Sequence, residues 1–297
     1  MTKKYTDSNK LILGASGFLG NYLLREFNNA SYHTTSSNDS KFNLKTTFET
    51  HKDIKKILSK FKYNQIFNTI AMTDIELCEK NKDLAVWLNS DLPGLFANEC
   101  FKKNIKFIHF STDAVFDGRK AMATEKDHPN PISFYGKSKL FGETKVVENN
   151  NKSLILRVNF FGLSKKSSLF NFFYDAGLKN REIIGFTDVH FTTLYAGDLA
   201  KITKKLASDN SQGLFHVVGN QRLNKFDFGK LIYKEFEFNS KFLVPGSINN
   251  SSSLMKNIRS PDLSLCNDKL LESGIKVPTI ATGLKTIKKE VKNYDKK

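Results

Sequence analysis

The sequence is short of cysteine, of long apolar runs and of concentrated charge, and each shortage removes a class of protein. Among 297 residues only Cys78, Cys100 and Cys266 carry thiols. Their scatter gives neither a metal-ligand spacing nor the density of a disulfide framework, so buried structural thiols in a reducing cytoplasm are expected, and no metal. No run approaches the apolar length of a membrane-spanning helix, and the opening MTKKYTDSNK lacks a signal peptide's hydrophobic region. Acidic residues are outnumbered, 30 against 46 basic ones, for a net charge of +16. The lysines are nevertheless spread through KKNIK, LSKFK, ITKK and TIKKEVKN with no dense block, and the 26 phenylalanines form no base-stacking motif. A nucleic-acid partner is therefore not expected. The positive field suits an anionic cofactor and an anionic substrate instead. His109, His128, His190 and His216 stand apart in sequence and read as structural or surface residues.

What is present begins at KLILGASGFLGNYLL, residues 10 to 24. Leu11, Ile12 and Leu13 have the length of a buried parallel strand, and Tyr22, Leu23 and Leu24 continue as an apolar helical pattern. Between them Gly14, Gly17 and Gly20 allow a sharp strand-to-helix turn, close approach of backbone to a pyrophosphate and tight helix packing. Glycines in a tight turn need no ligand; the flanking strand and helix are what favour a dinucleotide loop. Residues 32 to 37 form a second, β-branched strand that ends in Ser36, Ser37 and Asn38, with Asp39 just beyond. A carboxylate there would hold a ribose and favour NAD. Its absence at Ser36 leaves room for a 2′-phosphate and predicts NADPH, with NADH open through Asp39.

Ile54, Ile57, Leu58 and Phe61 recur at helical spacing. NQIFNTIA, 64 to 71, is the next buried strand and carries Asn68 and Ala71 past the cofactor at its end. A helix spans 82 to 102 with Pro93 as a kink or break, and IKFIHF, 105 to 110, is a further strand. This alternation predicts an α/β protein with a Rossmann-type doubly wound parallel sheet, whose ligands sit at strand C-terminal ends. Residues 1–163 would form the dinucleotide-binding domain, with a return strand near 213–219. Residues 164–297 would form a smaller, interleaved substrate-binding lobe.

The chemistry is expected at Ser111-Thr112-Asp113, which leave a strand, and at Tyr135-Gly-Lys-Ser-Lys139, which open a helix. Positions i and i+4 share a helix face, so Tyr135 and Lys139 point together. A phenol ionises near pH 10 in water, and a neighbouring ammonium brings it toward neutrality. Tyr135 can then protonate a carbonyl oxygen while hydride reaches the carbon, Lys139 holding ribose hydroxyls and the Thr112 hydroxyl orienting the carbonyl. Each piece alone is commonplace: Y-x-x-x-K recurs by chance in helices, and Ser-Thr-Asp is usually a turn or cap. Their order, each at a strand or helix end, favours the joint catalytic reading.

GASGFLG, NTIA, TDIELCE, the Asn89 helix, STDAVFDG, PISFYGKSKLFGE and ILRVNFFG together resemble an extended short-chain dehydrogenase/reductase, and STDAVFDG with YGKSKLFGE is most similar to the dTDP-4-dehydrorhamnose reductases. The likeness covers residues 10 to 200, with a weaker match at RSPDLSLCNDKL, 259 to 270. It implies catalytic roles for Thr112, Tyr135 and Lys139, with Asp113 beside them. It also implies cofactor contacts from Ser16, Phe18 and Leu19 within the glycine loop, and substrate contacts from Thr112, Asn159 and Phe160. Implied too is a small-molecule sugar-nucleotide substrate, with a homodimer open.

Three departures bear on the reaction. Ala114 stands where sugar-nucleotide dehydratases carry Glu, so a simple reduction fits better than elimination. Met72 replaces a common Tyr. GFTDVHFTTLYAGDLA, from Gly185, replaces the usual D-Q-x-G-x-P-T and loosens the identity of the hexose. The expected activity is NAD(P)H-dependent reduction of the 4-keto group of a nucleotide-activated 6-deoxyhexose, as in the rhamnose pathway. The alternatives are a non-catalytic NAD(P)-binding regulatory subunit and an epimerase/reductase of the same superfamily.

Overall fold

The computed structural model describes residues 9–27, 30–34, 44–45, 47–60, 62–164, 168–250 and 260–294. In chain order, β1 is Lys10–Leu13, α1 Phe18–Glu26, β2 Ser31–Thr34, β3 Leu44–Lys45, α2 His51–Ser59, β4 Gln65–Asn68, α3 Ile75–Lys80 and α4 Lys82–Val86. There follow α5, Leu92–Lys102; β5, Lys106–Thr112; α6, Phe134–Asn149; β6, Leu154–Val158; β7, Phe160–Phe161; α7, Leu169–Leu178; β8, Ile183–Phe186; β9, His190–Thr192; and β10, Leu194–Tyr195. The remainder is α8, Ala196–Ser208; β11, Gly213–Val217; β12, Arg222–Asn224; α9, Lys225–Phe236; β13, Leu243–Gly246; β14, Asp262–Leu263; α10, Asp268–Glu272; and α11, Ile280–Tyr294.

Seven strands form the main sheet in the order β11-β6-β5-β4-β1-β2-β3. Pairing is parallel from β3 through β5. Leu11, Ile12 and Leu13 are fully buried, as a strand covered on both faces requires. On one face Leu11, Leu13, Ile66, Phe107 and Ile155 meet Ile54, Ile57 and Leu58 of α2, Phe96 and Cys100 of α5 and Val146 of α6. On the other, Phe67 meets Phe27 at the end of α1, ring centroids 4.6 Å apart. This is the doubly wound α/β sheet that the alternation of elements predicts.

The chain divides into two compact units. One comprises residues up to Thr112, Ser133–Arg157 and Ala200–Phe215; the other comprises Asp113–Ile132, Val158–Leu199 and the chain from His216 onward. The division thus falls at Thr112/Asp113, inside the Ser-Thr-Asp motif, as well as near residue 158. The second unit holds three small sheets: β7 with β10, β12-β9-β14, and β8 with β13. Its core is aromatic. Phe228 of α9 meets Phe161 at 5.3 Å, Phe191 at 5.6 Å and Phe173 at 6.3 Å. Phe236 meets Phe170 and Tyr174 of α7. The abundance of phenylalanine is packing, as its lack of any stacking motif implies.

The helix expected over 82–102 is continuous in winding but not in type. Trp87–Asp91 make a π turn between α4 and α5, and Pro93 lies in the first turn of α5. A proline ring strikes the carbonyl four residues back, here that of Asn89, and the wider turn relieves that clash. β4 stops at Asn68 rather than at residue 71, and β2 is described only to Thr34.

Candidate active site

In the first unit the glycine loop is stitched to the end of β4. Gly14 has φ +75°, which favours glycine, and a Cβ there would press on Thr69 Oγ1 at 2.9 Å and Ile70 N at 3.0 Å. Thr69 donates from its amide to Leu13 O at 3.0 Å and from Oγ1 to the same carbonyl at 2.6 Å. A Cβ on Gly20 would strike the Gly14 carbonyl, so only glycine lets α1 sit this close to the turn. Gly17 caps α1 without a side-chain bond, and no acidic residue occupies the first turn, so the helix's positive end carries no competing carboxylate. Asn21 Nδ2 donates to the Ser16 and Gly17 carbonyls at 3.0 and 2.9 Å. Leu19 is buried, while Ser16 is exposed and Phe18 and Ala71 are half-buried. Ile70 also lines a cavity of about 450 Å³ with Phe48, Leu84, Trp87 and Leu88. That places an apolar chamber directly beside the loop. Ser36 lies outside the described residues, as do Ser37, Asn38 and Asp39.

The Tyr-Lys helix is anchored at its N-terminal end. Ser133 caps it through its side chain, accepting from Gly136 N at 3.2 Å. Glu79 of α3 accepts the Phe134 amide at 2.7 Å. Lys139 is buried and donates from Nζ to Phe110 O at 2.6 Å, which brings its ammonium to the C-terminal end of β5, two residues short of the buried Thr112. Tyr135 is half-buried, one turn earlier on the same helix. Burial pulls the Lys139 ammonium down to about 8, with Glu143 working in the opposite direction.

Three groups to which sequence reasoning gave no role in the site support this arrangement. Glu143, one further turn along α6, is buried with Arg157 of β6: Arg157 Nη2 donates to Oε2 at 2.7 Å and Nε to Oε1 at 2.9 Å. Ser111 Oγ adds a 2.5 Å bond to Oε1. The signal was available, since 135, 139 and 143 repeat at i, i+4 and i+8. Asn89, on the π turn, grips Met72 through Oδ1 to its amide at 2.8 Å and Nδ2 to its carbonyl at 2.9 Å, and also donates to Ser138 Oγ at 2.9 Å. It therefore joins the strand end after the glycine loop to the helix of Lys139. His109, expected to be a plain structural or surface residue, is fully buried between Asn68 and Lys139.

Asp113, Asn159 and Phe160 fall in the second unit. Asn159 Nδ2 donates to Asp113 Oδ2 at 2.5 Å, and Phe160 pairs with Leu194 in the β7–β10 ladder. The unusual segment from Gly185 onward folds as the end of β8, then β9 and β10, and Thr192 Oγ1 accepts the Leu265 amide at 3.0 Å. Cys78 and Cys100 are buried, as expected, whereas Cys266 is partly exposed. Among the described residues no group of His, Cys, Asp and Glu is arranged to hold a metal ion, and no helix is long and apolar enough to cross a membrane.

The family described as RmlD substrate binding domain matches residues 9–293. A probable low-salt glycan biosynthesis reductase, Agl14 of Haloferax volcanii, is 34% identical over 234 residues, 74% of this chain and 78% of that protein. The dTDP-4-dehydrorhamnose reductase of Aggregatibacter actinomycetemcomitans is 30% identical over 236 residues, 76% and 78% of the two chains. Methionine adenosyltransferase 2 subunit beta of Mus musculus is 28% identical over 249 residues, 79% and 74%. Among solved structures, the Bacillus anthracis dTDP-4-dehydrorhamnose reductase in complex with NADP superposes with a TM-score of 0.81 at 24% identity, covering 95% of this chain and 98% of that one.

Proposed function

The chain belongs to the RmlD substrate binding domain family of extended short-chain dehydrogenases/reductases, and from that premise we propose that it is an NADPH-dependent reductase of a nucleotide-activated 4-keto-6-deoxyhexose. The observation that carries the proposal is Lys139. Its buried ammonium is held on the Phe110 carbonyl at the end of β5, one helical turn from Tyr135 and two residues from Thr112. The names of two relatives, a glycan biosynthesis reductase and a dTDP-4-dehydrorhamnose reductase, supply the substrate class.

The glycine loop and the uncapped start of α1 suit a pyrophosphate, and the apolar chamber beside Ile70 suits an adenine ring. When bound, a dihydronicotinamide would supply a hydride, two electrons and one proton, to the carbonyl carbon. The C=O π electrons would pass to oxygen as the hydride adds to carbon, and the Tyr135 hydroxyl would give that oxygen its proton. Lys139 favours the phenolate left behind, which regains its proton from solvent. Thr112 orients the carbonyl through its hydroxyl. The resemblance alone supports Asp113, Asn159 and Phe160 as substrate contacts, Asn159 donating to Asp113 within the second unit.

Protein, NADPH and a dTDP-4-keto-6-deoxy sugar should together oxidise the cofactor, seen as loss of its near-ultraviolet absorbance. Tyr135→Phe should lower kcat by at least about 10²-fold while the cofactor's Kd stays within a factor of about two, since the ring remains and only the proton donor goes. Absence of turnover with every keto-sugar nucleotide, with NADPH still bound, would reject the reductase reading. That result would favour a second reading, a nucleotide-binding regulatory subunit. The likeness to methionine adenosyltransferase 2 subunit beta supports this reading, and so does the altered stretch from Gly185. The intact Thr112, Tyr135 and Lys139 set argues for catalysis.

A further inference from the structure

Asn68 and His109 are register partners in the parallel ladder of β4 and β5, so their side chains leave the sheet on the same face. Asn68 Oδ1 accepts the Ile70 amide at 3.2 Å, which turns its NH2 toward His109, and Nδ2 lies 3.1 Å from His109 Nδ1. An amide nitrogen has no lone pair to offer, so Nδ1 must be the acceptor and the imidazole proton sits on Nε2. That nitrogen stands 3.4 Å from Lys139 Nζ. A charged lysine has only donors, and would direct one N–H at another. A neutral amine donates to Phe110 O and accepts from Nε2–H, and every group is then satisfied.

We infer that His109, locked in its Nε2–H form by Asn68, is a positioning residue that opposes the charged state of Lys139 and so sets the pH at which the Tyr135–Lys139 pair works. Its part in turnover rests on the reductase reading; its effect on Lys139 does not. The other groups facing this lysine are few. Glu143 favours its charge but is itself held by Arg157 of β6 and Ser111 of β5. Tyr135 lies a turn away on the same helix, and Glu79 of α3 is engaged at Phe134. His109 is fully buried, and burial followed by the Lys139 charge keeps its imidazole neutral well below its ordinary range.

The test exploits Asn68→Asp, close to isosteric, in which a carboxylate keeps the Ile70 bond but accepts from His109 Nδ1–H. The ring then presents a bare Nε2 to Lys139, which can accept from the ammonium. Lysines labelled at the ε-carbon are titrated by NMR in the full chain without cofactor, Lys139 being assigned from the signal missing in Lys139→Met. The midpoint of Lys139 should rise by about one pH unit or more, tenfold in proton affinity, in both Asn68→Asp and His109→Gln. The alkaline limb of the rate profile should move with it. Imidazole ¹⁵N spectra of the unaltered protein should show the His109 proton on Nε2. A proton on Nδ1, or a Lys139 midpoint unmoved in Asn68→Asp, overturns the inference. If the midpoint moves and no keto sugar is reduced, the reductase reading fails and the coupling of His109 to Lys139 stands.

Discussion

At the scale of single residues, the site concentrates buried charge, and the consequences run in opposite directions. Lys139 titrates near 8 when folded against an ordinary 10.5, because burial disfavours its charge. The folded protein therefore binds fewer protons than the unfolded chain between these values, and stability rises with pH across that window. Below pH 8 the penalty is fully present, about 3 kcal/mol from the shift alone. Urea unfolding should show Lys139→Met gaining on the unaltered protein as pH falls from 10 to 8, and no further change below. Glu143 and Arg157 behave otherwise. Each is buried and bonded to the other, so removing one partner strands a charge. Arg157→Met should cost about 3–5 kcal/mol of unfolding free energy, and Glu143→Gln with Arg157→Met less than the sum.

Among elements, the most consequential join is that of α6 to the π turn. A Cβ on Gly142 would run into the Asn89 carbonyl, the same group that Pro93 displaces from regular helical bonding. Gly142→Ala should force α6 off the turn, lowering the melting temperature by several degrees and weakening cofactor binding through Asn89 and Met72. Scanning calorimetry and a cofactor titration read the two effects. This join also shows where sequence reasoning reaches and where it stops. Leu11–Leu13 were legible as a strand because three apolar residues between polar flanks fit little else. Tyr135-Gly-Lys-Ser-Lys139 was legible as a helix opening, and Ser133 caps that helix. The π turn was not, since its cause is a proline meeting the Asn89 carbonyl four residues earlier, and that carbonyl faces a glycine 53 residues after Asn89, in α6. Nor was His109, whose partners lie 41 residues before it and 30 after: the register of β4 against β5 brings Asn68 to it, and α6 brings Lys139.

For the whole molecule, the net charge of +16 bears on cofactor choice more than on fold. A field of this sign raises the local concentration of any anion, and it favours the more highly charged of two otherwise identical ligands. NADPH carries a 2′-phosphate that NADH lacks, so the charge of the chain and the want of a carboxylate at Ser36 act together. The two causes separate under salt. A long-range field is screened within about 8 Å at physiological ionic strength, whereas a hydroxyl or amide in contact with the phosphate is not. If contact dominates, NADPH should bind more tightly than NADH by a ratio that changes little as salt rises from low to about physiological strength. If the field dominates, the ratio should fall toward unity. Ser36→Asp distinguishes them further. If position 36 meets the ribose, a carboxylate there should reverse the preference at every salt concentration, while a charge change elsewhere should only scale it. Tighter binding of NADH by the unaltered chain would instead assign the ribose to Asp39.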